Sequence, residues 1–315
     1  APPAILSVYL GDQLEKVFQD IKDGNIASSK QGGEMDLGLS QILKFERDPG
    51  DRNRTSPFAF TGNRFEFRAV GSSQSVSGPL VAMNTILADS LDWIAEKLES
   101  ELAKTESRTT AVLAVLKTLM EENGNVVFGG DGYSAEWHKM AVEERGLKNL
   151  PTSADALPYL RDESIRELFK RTNVFSPVEL ESRFEVYAEQ YILSIEVEAK
   201  LVIEMAKTMI YPAATQYLGE LSMTCSGMTD LGIEMDNSIA SSIANETNAM
   251  IAAVAELSKA ITKHDFDSIE AHMNYCANDI HTLMDKVRAH VDALETEVAD
   301  DLWPLPKYRE MLFIK

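Results

Sequence analysis

Apolar residues recur at three- and four-residue steps through most of this chain, and that spacing predicts helices. Leu80, Met83, Ile86, Leu87, Leu91 and Ile94 predict a first long one, and a second from about Thr109 to Met120 stops at Asn123 and Gly124. Another, from about Ala135 to Arg145, stops at Gly146. From Pro177 onward the pattern predicts three long helices. The first opens with Ser176 as cap, Pro177 in first position and Glu179 in the first turn. Its stripe runs through Leu180, Phe184, Tyr187, Tyr191, Ile195, Val202, Ala206 and Ile210, and Pro212 is expected to kink or end it. The second spans about Thr229 to Lys263 with Met235, Ile239, Ile243, Met250, Val254, Leu257 and Ile261 inside. The third, about Ser268 to Asp300, repeats through Cys276, Ile280, Leu283, Val287, Leu294 and Val298. Such stripes are first of all burial signals, and three in succession suit antiparallel packing.

The first 70 residues read differently. Ile5 to Leu10 is a β-branched and aromatic run ended by Gly11, which predicts a strand, and Gln13 to Ile21 reads as a helix. Residues 22–38 are glycine- and serine-rich and read as a connection, and Asp48 to Arg54 as a turn-rich lead-in. The alternation Arg64, Phe65, Glu66, Phe67, Arg68 has period two. As a strand it sets three charged side chains on one face and two phenylalanines on the other. The fold class is therefore α+β, a small sheet followed by a mainly helical bundle with long helices.

Charge sharpens the division. Residues 1–70 carry 9 Lys plus Arg against 10 Asp plus Glu, while the remaining 245 residues carry 21 against 40, out of a net charge of −20. The acidic remainder argues against nucleic acid and anionic membrane partners, and no apolar run reaches the roughly 20 residues of a membrane span. Only the first segment is suited to meet an anion. Cys225 and Cys276 fall in helical sequence and form no disulfide framework; they read as core or near-core thiols of a reducing cytoplasm. The chain opens at Ala1, Pro2 and Pro3 rather than at a methionine, as a piece whose beginning is missing would.

Several motifs read as structural. Gly129, Gly130 and Gly132 lack the Gly-Lys-Ser/Thr of a phosphate loop and read as a turn. His138, His264, His272, His281 and His290 form no zinc pattern, and no nucleophile elbow or dinucleotide fingerprint is present. That leaves Asn53 to Arg68, NRTSPFAFTGNRFEFR. A carboxylate flanked two residues away on each side by guanidiniums can be a plain ion-pair ladder on an exposed sheet face. The same set can grip phosphate or carboxylate with its arginines and give a carboxylate to a divalent cation.

The Asn-Arg-Thr-Ser stretch followed by Arg-Phe-Glu-Phe-Arg resembles the C-terminal catalytic segment of glutamine synthetases. APPAILSVYLG at the start, GNRFEFRAVGSSQS, GDGYSAEWHK, RGLKNLPTSADALPYL and the terminal LWPLPKYREMLF are similar to the type III branch, so the resemblance covers essentially the whole chain. It implies that residues 1–125 are the C-terminal part of the catalytic domain and its sheet, and 126–315 a helical extension with long antiparallel helices at about 177–300. It further implies ATP-dependent joining of ammonia to glutamate through a γ-glutamyl phosphate, with Mg²⁺ or Mn²⁺, in a cytoplasmic enzyme assembled as a large homo-oligomer of stacked rings. By the same resemblance Glu66 matches a metal ligand, Arg68 the arginine that grips glutamate, Arg64 an arginine near the nucleotide, and Arg54 the arginine that neutralises the transferred phosphoryl group. Ala59 stands where many type I members carry a further arginine. Because Glu66 alone cannot complete a divalent site, the isolated chain is expected to have no synthetase activity. Two other readings are another carboxylate–amine ligase or guanidino kinase on the same sheet, and a helical assembly module without catalysis.

Overall fold

A short parallel pairing at the start of the chain founds the sheet. In the computed structural model, which describes residues 5–25, 34–35, 45–46, 56–68, 71 and 74–312, strand β1 (Val8–Tyr9) leads directly into helix α1 (Gly11–Lys22). Gly11 takes φ 79°, a left-handed conformation that lets the chain swing from strand to helix. β2 (Glu34–Met35) and β3 (Phe45–Glu46) pair antiparallel. β4 (Phe58–Phe60) and β5 (Phe65–Phe67) form an antiparallel hairpin with Phe58 opposite Phe67, Ala59 opposite Glu66 and Phe60 opposite Phe65. β1 joins β4 in parallel, Val8 beside Phe58 and Tyr9 beside Ala59. The strand expected over Ile5 to Leu10 shrinks to two residues, those that β4 partners.

This sheet belongs to one of two compact units, formed by residues 1–152 and 162–177. Besides α1, its helices are α2 (Ser77–Leu102), α3 (Arg108–Asn123) and α4 (Ala135–Glu143), and, beyond the short α5 (Ser153–Ala156) of the other unit, α6 (Glu163–Arg171). Side chains cap the ends where the sequence offers them: Ser107 accepts from the Thr110 N–H, Ser134 from Trp137 and Asp162 from Ser164. Gly146 ends the α4 segment at φ 68°, as expected. Ile5, Trp137 and Ala141 make a buried cluster, with Phe128 stacked 3.8 Å from the Trp137 ring. The α2 stripe, a helical pattern in the sequence, is not a core face in this unit. Thr85 is the buried residue of α2, while Leu80, Ile86, Leu87 and Leu91 are each exposed by half or more. Periodicity marks an apolar face; it does not supply a cover.

The second unit, residues 153–161 and 178–315, is helical. α7 (Pro177–Met205) passes through a π-helical turn at Ala206–Ile210 into α8 (Tyr211–Asp230). Pro212 therefore does not end the helix. The wider turn directly before it changes which carbonyls face the ring and the missing N–H, the two features by which proline otherwise breaks a helix. The chain then turns at Gly232, φ 77°, so the next helix, α9 (Ser238–Ala260), begins later than the expected Thr229 and leaves Met235 in the loop. α10 (Ile269–Tyr275), a second π-helical turn at Cys276–Ile280, and α11 (His281–Glu297) complete the bundle before the short α12 (Tyr308–Leu312).

α9 and α11 run antiparallel, because partner numbers rise on one as they fall on the other. Ser242 meets Glu297, Glu246 meets His290 and Glu256 meets Lys286, each at 2.8 Å. Phe184, Ala188, Ile243, Met250, Leu257, Met273 and Leu294 lie in the buried interior. Arg161 ties α7 to α10 by donating to Glu181 and Glu270 while its guanidinium lies 3.9 Å from the Phe184 ring centre. Cys276 is buried and its thiol is pushed up to about 11 by that burial, whereas Cys225 is partly exposed; both are free. Among the described residues no helix is long and apolar enough to cross a membrane.

Candidate functional site

β5 carries the candidate chemistry, and its two faces divide as period two requires. Phe65 and Phe67 point to one side, where they meet β4: Phe58 stacks on Phe65 with centroids 5.1 Å apart, Phe58 meets Phe67 edge-on at 6.2 Å, and Phe60 lies 5.3 Å from Phe65. These ring contacts pin the hairpin register, and the register aims Glu66 at the opposite face.

On that face Glu66 is held from both sides. Arg64 Nη2 donates to Glu66 Oε1 at 3.2 Å and Arg68 Nη2 to Oε2 at 3.0 Å. Arg68 Nη1 also donates to the Ser56 carbonyl at 3.4 Å, and its backbone N–H to the Pro57 carbonyl at 2.8 Å. Arg68, first, and Arg64, second, hold the Glu66 carboxyl below the ordinary 4.5. Two guanidiniums against one carboxylate leave the row one positive charge in excess. Arg64, 72% exposed, keeps donors turned to solvent, whereas Arg68 is anchored and less open.

The structure thus brings together three of the four residues singled out in the sequence, Arg64, Glu66 and Arg68. Arg54 lies outside the described residues. Ala59 is 1% exposed and stands between Tyr9 and Glu66 in a row across three strands, so no cation comes from that position. Sequence reasoning missed Ser56, whose carbonyl receives Arg68 and whose hydroxyl donates to the Phe58 carbonyl at 3.2 Å. Its place before Pro57, where the backbone is driven to extended geometry, was the available signal. Among the described residues no three His, Cys, Asp or Glu converge on a common point.

Comparison with known proteins gives these residues a setting. Residues 111–229 match the family described as glutamine synthetase C-terminal domain. The whole chain is 38% identical to the type-3 glutamine synthetase of Dictyostelium discoideum and 33% identical to a glutamine synthetase of Bacteroides fragilis. A glutamine synthetase of Butyrivibrio fibrisolvens is 31% identical over 99% of the chain. The chain spans 44 to 45% of the length of these curated relatives. With the similarity covering the full chain, the chain belongs to the glutamine synthetase family and corresponds to the C-terminal portion of its type 3 members.

Proposed function

We propose that this chain supplies one wall of a glutamine synthetase active site, for ATP-dependent ligation of ammonia to glutamate through a γ-glutamyl phosphate. The observation that carries the reading is the Arg64, Glu66, Arg68 row on one sheet face, within a chain 38% identical over its full length to a type-3 glutamine synthetase. Phosphoryl transfer is mainly positioning and electrostatics, and such a row supplies both. Arg68, fixed by the Ser56 carbonyl, is the arginine for the carboxylate of the glutamate substrate, and Arg64, the open one, is the arginine for the nucleotide. Arg54 serves the transferred phosphoryl group.

Glu66 is one carboxylate ligand for Mg²⁺ or Mn²⁺. A hard divalent ion takes about six oxygens, so these residues do not form the metal site alone. The metal, when bound, screens and orients the phosphates. Residues 1–125 end the catalytic domain and its sheet, and 126–315 are the helical extension. The complete enzyme is a cytoplasmic homo-oligomer of stacked rings.

The test compares the 315-residue chain with a longer protein in which the remaining synthetase segment precedes it, both given glutamate, ATP, Mg²⁺ and hydroxylamine. γ-Glutamyl hydroxamate is expected from the longer protein and not from the chain alone. Glu66→Ala in the longer protein is expected to abolish turnover with the fold retained, and unchanged turnover would refute the metal role.

A further inference from the structure

Helix α7 carries two apolar stripes. Leu180, Phe184, Ala188, Ile192, Ile195 and Ala199 are buried in the bundle. Val186, Leu193, Val197 and Leu201 are 55, 60, 53 and 49% exposed. At about 100° per residue these four fall within an arc of about 80° on the side opposite the buried stripe. A helix that packs on one face only should be polar on the other, and one that is apolar on two faces is built to be covered on two. The bundle accounts for the first stripe and leaves the second without a partner in this chain's described residues. Steps of seven, four and four residues suit a seam against another helix.

We propose that this outer stripe packs against the same stripe of a second copy of the chain, antiparallel, about a two-fold axis beside Leu193 and Ser194. Charge selects both occupant and direction. Arg183 and Glu204 flank the stripe at equal sequence distance from its midpoint between Leu193 and Ser194. An antiparallel pair brings Arg183 of each copy to Glu204 of the other, whereas a parallel pair would set like on like at both ends. The centre of the contact holds Gln190, Leu193, Ser194 and Val197, without a charge. That matters in a chain of net charge −20, which repels its own copies wherever no such pairing is arranged. The pairing is independent of the catalytic reading and would hold whatever the activity.

The test uses the 315-residue chain with Cys225→Ser, which removes the partly exposed thiol. Ser194→Cys, beside the axis, is expected to give a disulfide-linked dimer on mild oxidation, while Ser222→Cys, exposed on α8, is not. In sedimentation, Leu193→Glu is expected to lose this association with its helical circular dichroism unchanged. Arg183→Glu and Glu204→Arg are each expected to weaken it by about tenfold, and the two combined to restore it. The proposal is overturned if Leu193→Glu leaves association unaltered, if Ser194→Cys does not cross-link copies, or if the combined variant binds no tighter than the single ones. A monomeric wild-type chain whose melting temperature drops with Leu193→Glu would overturn it too, and would place another element of the same chain over the stripe.

Discussion

Ala59 and Glu66 lie directly opposite each other on β4 and β5, and the Ala59 side chain ends at Cβ. The carboxylate therefore takes its cations from its own strand, Arg64 and Arg68, and none from across the ladder. Directly opposed residues on neighbouring strands have Cβ atoms only about 5 Å apart, so a long side chain at 59 would reach Glu66. Ala59→Arg is expected to add a third guanidinium and, in the longer protein, to raise the Mg²⁺ concentration for half-maximal hydroxamate formation several-fold. Because Ala59 is buried, the variant should also lose about 1–3 kcal/mol to overpacking. Ala59→Met separates the two effects: a similar stability loss with the Mg²⁺ dependence unmoved. Equal shifts in both variants would show that bulk, not charge, governs the site.

Arg68 forks between Glu66 and the Ser56 carbonyl, and a lysine cannot span both targets as a planar guanidinium does. Arg68→Lys is expected to raise the Glu66 carboxyl toward its ordinary range, since Arg68 is the largest influence lowering it. NMR titration of a chain labelled at glutamate carboxyl carbons, with Glu66→Gln to assign the signal, measures this directly. Arg64→Lys should raise it less. The opposite ranking would mean that the exposed arginine, not the anchored one, holds the carboxylate.

How far these features could be read in advance differs by element. The helices beginning at Pro177, Ser238 and Ile269 follow from their stripes, because Phe184, Met250, Leu257 and Leu294 sit at helical spacing and are all buried. The period-two row at Arg64 to Arg68 fixed which side chains share a face, and the hairpin keeps them there. The stripe of α2 was equally legible as a pattern, but spacing is a property of one helix and burial a property of two, so its exposure was not. The π-helical turns insert one extra residue into a hydrogen-bonded ring. Pro212 signals the first, whereas nothing around Cys276 distinguishes the second from ordinary helix. α6 went unread although Asp162 caps it and Lys170 and Arg171 close it, the charge order that a helix dipole favours.

Arg161 is the polar centre of the second unit. Its guanidinium draws Glu181 of α7 and Glu270 of α10 together over the Phe184 ring. Removing the cation leaves two half-buried carboxylates facing each other, which costs more than the pair of bonds contributes. Arg161→Met, which keeps packing against the ring, is expected to destabilise the unit by about 2 kcal/mol, and Glu270→Gln by less, since one acid then remains paired. Chemical denaturation followed by circular dichroism checks the order. If Arg161→Met proved neutral, the carboxylates would have to be solvated well enough to need no partner.

His272 gives the second unit a pH dependence of predictable sign. Its ring stacks 4.1 Å from that of Phe266, and Nε2 lies 3.4 Å from Glu196 Oε1 on α7. Burial pushes the imidazole below 6.5, His264 adds to that, and Glu196 opposes both without overcoming them. As pH falls below 6.5 the unfolded chain takes up the proton before the folded one does, so stability that is complete above 6.5 declines toward the lower folded value. His272→Phe retains a ring against Phe266 and removes the titration. The melting-temperature difference between pH 7.5 and pH 5.5 is therefore expected to be smaller in His272→Phe than in the wild-type chain. A larger difference in the variant would mean that the Glu196 contact, rather than burial, sets the protonation of this histidine.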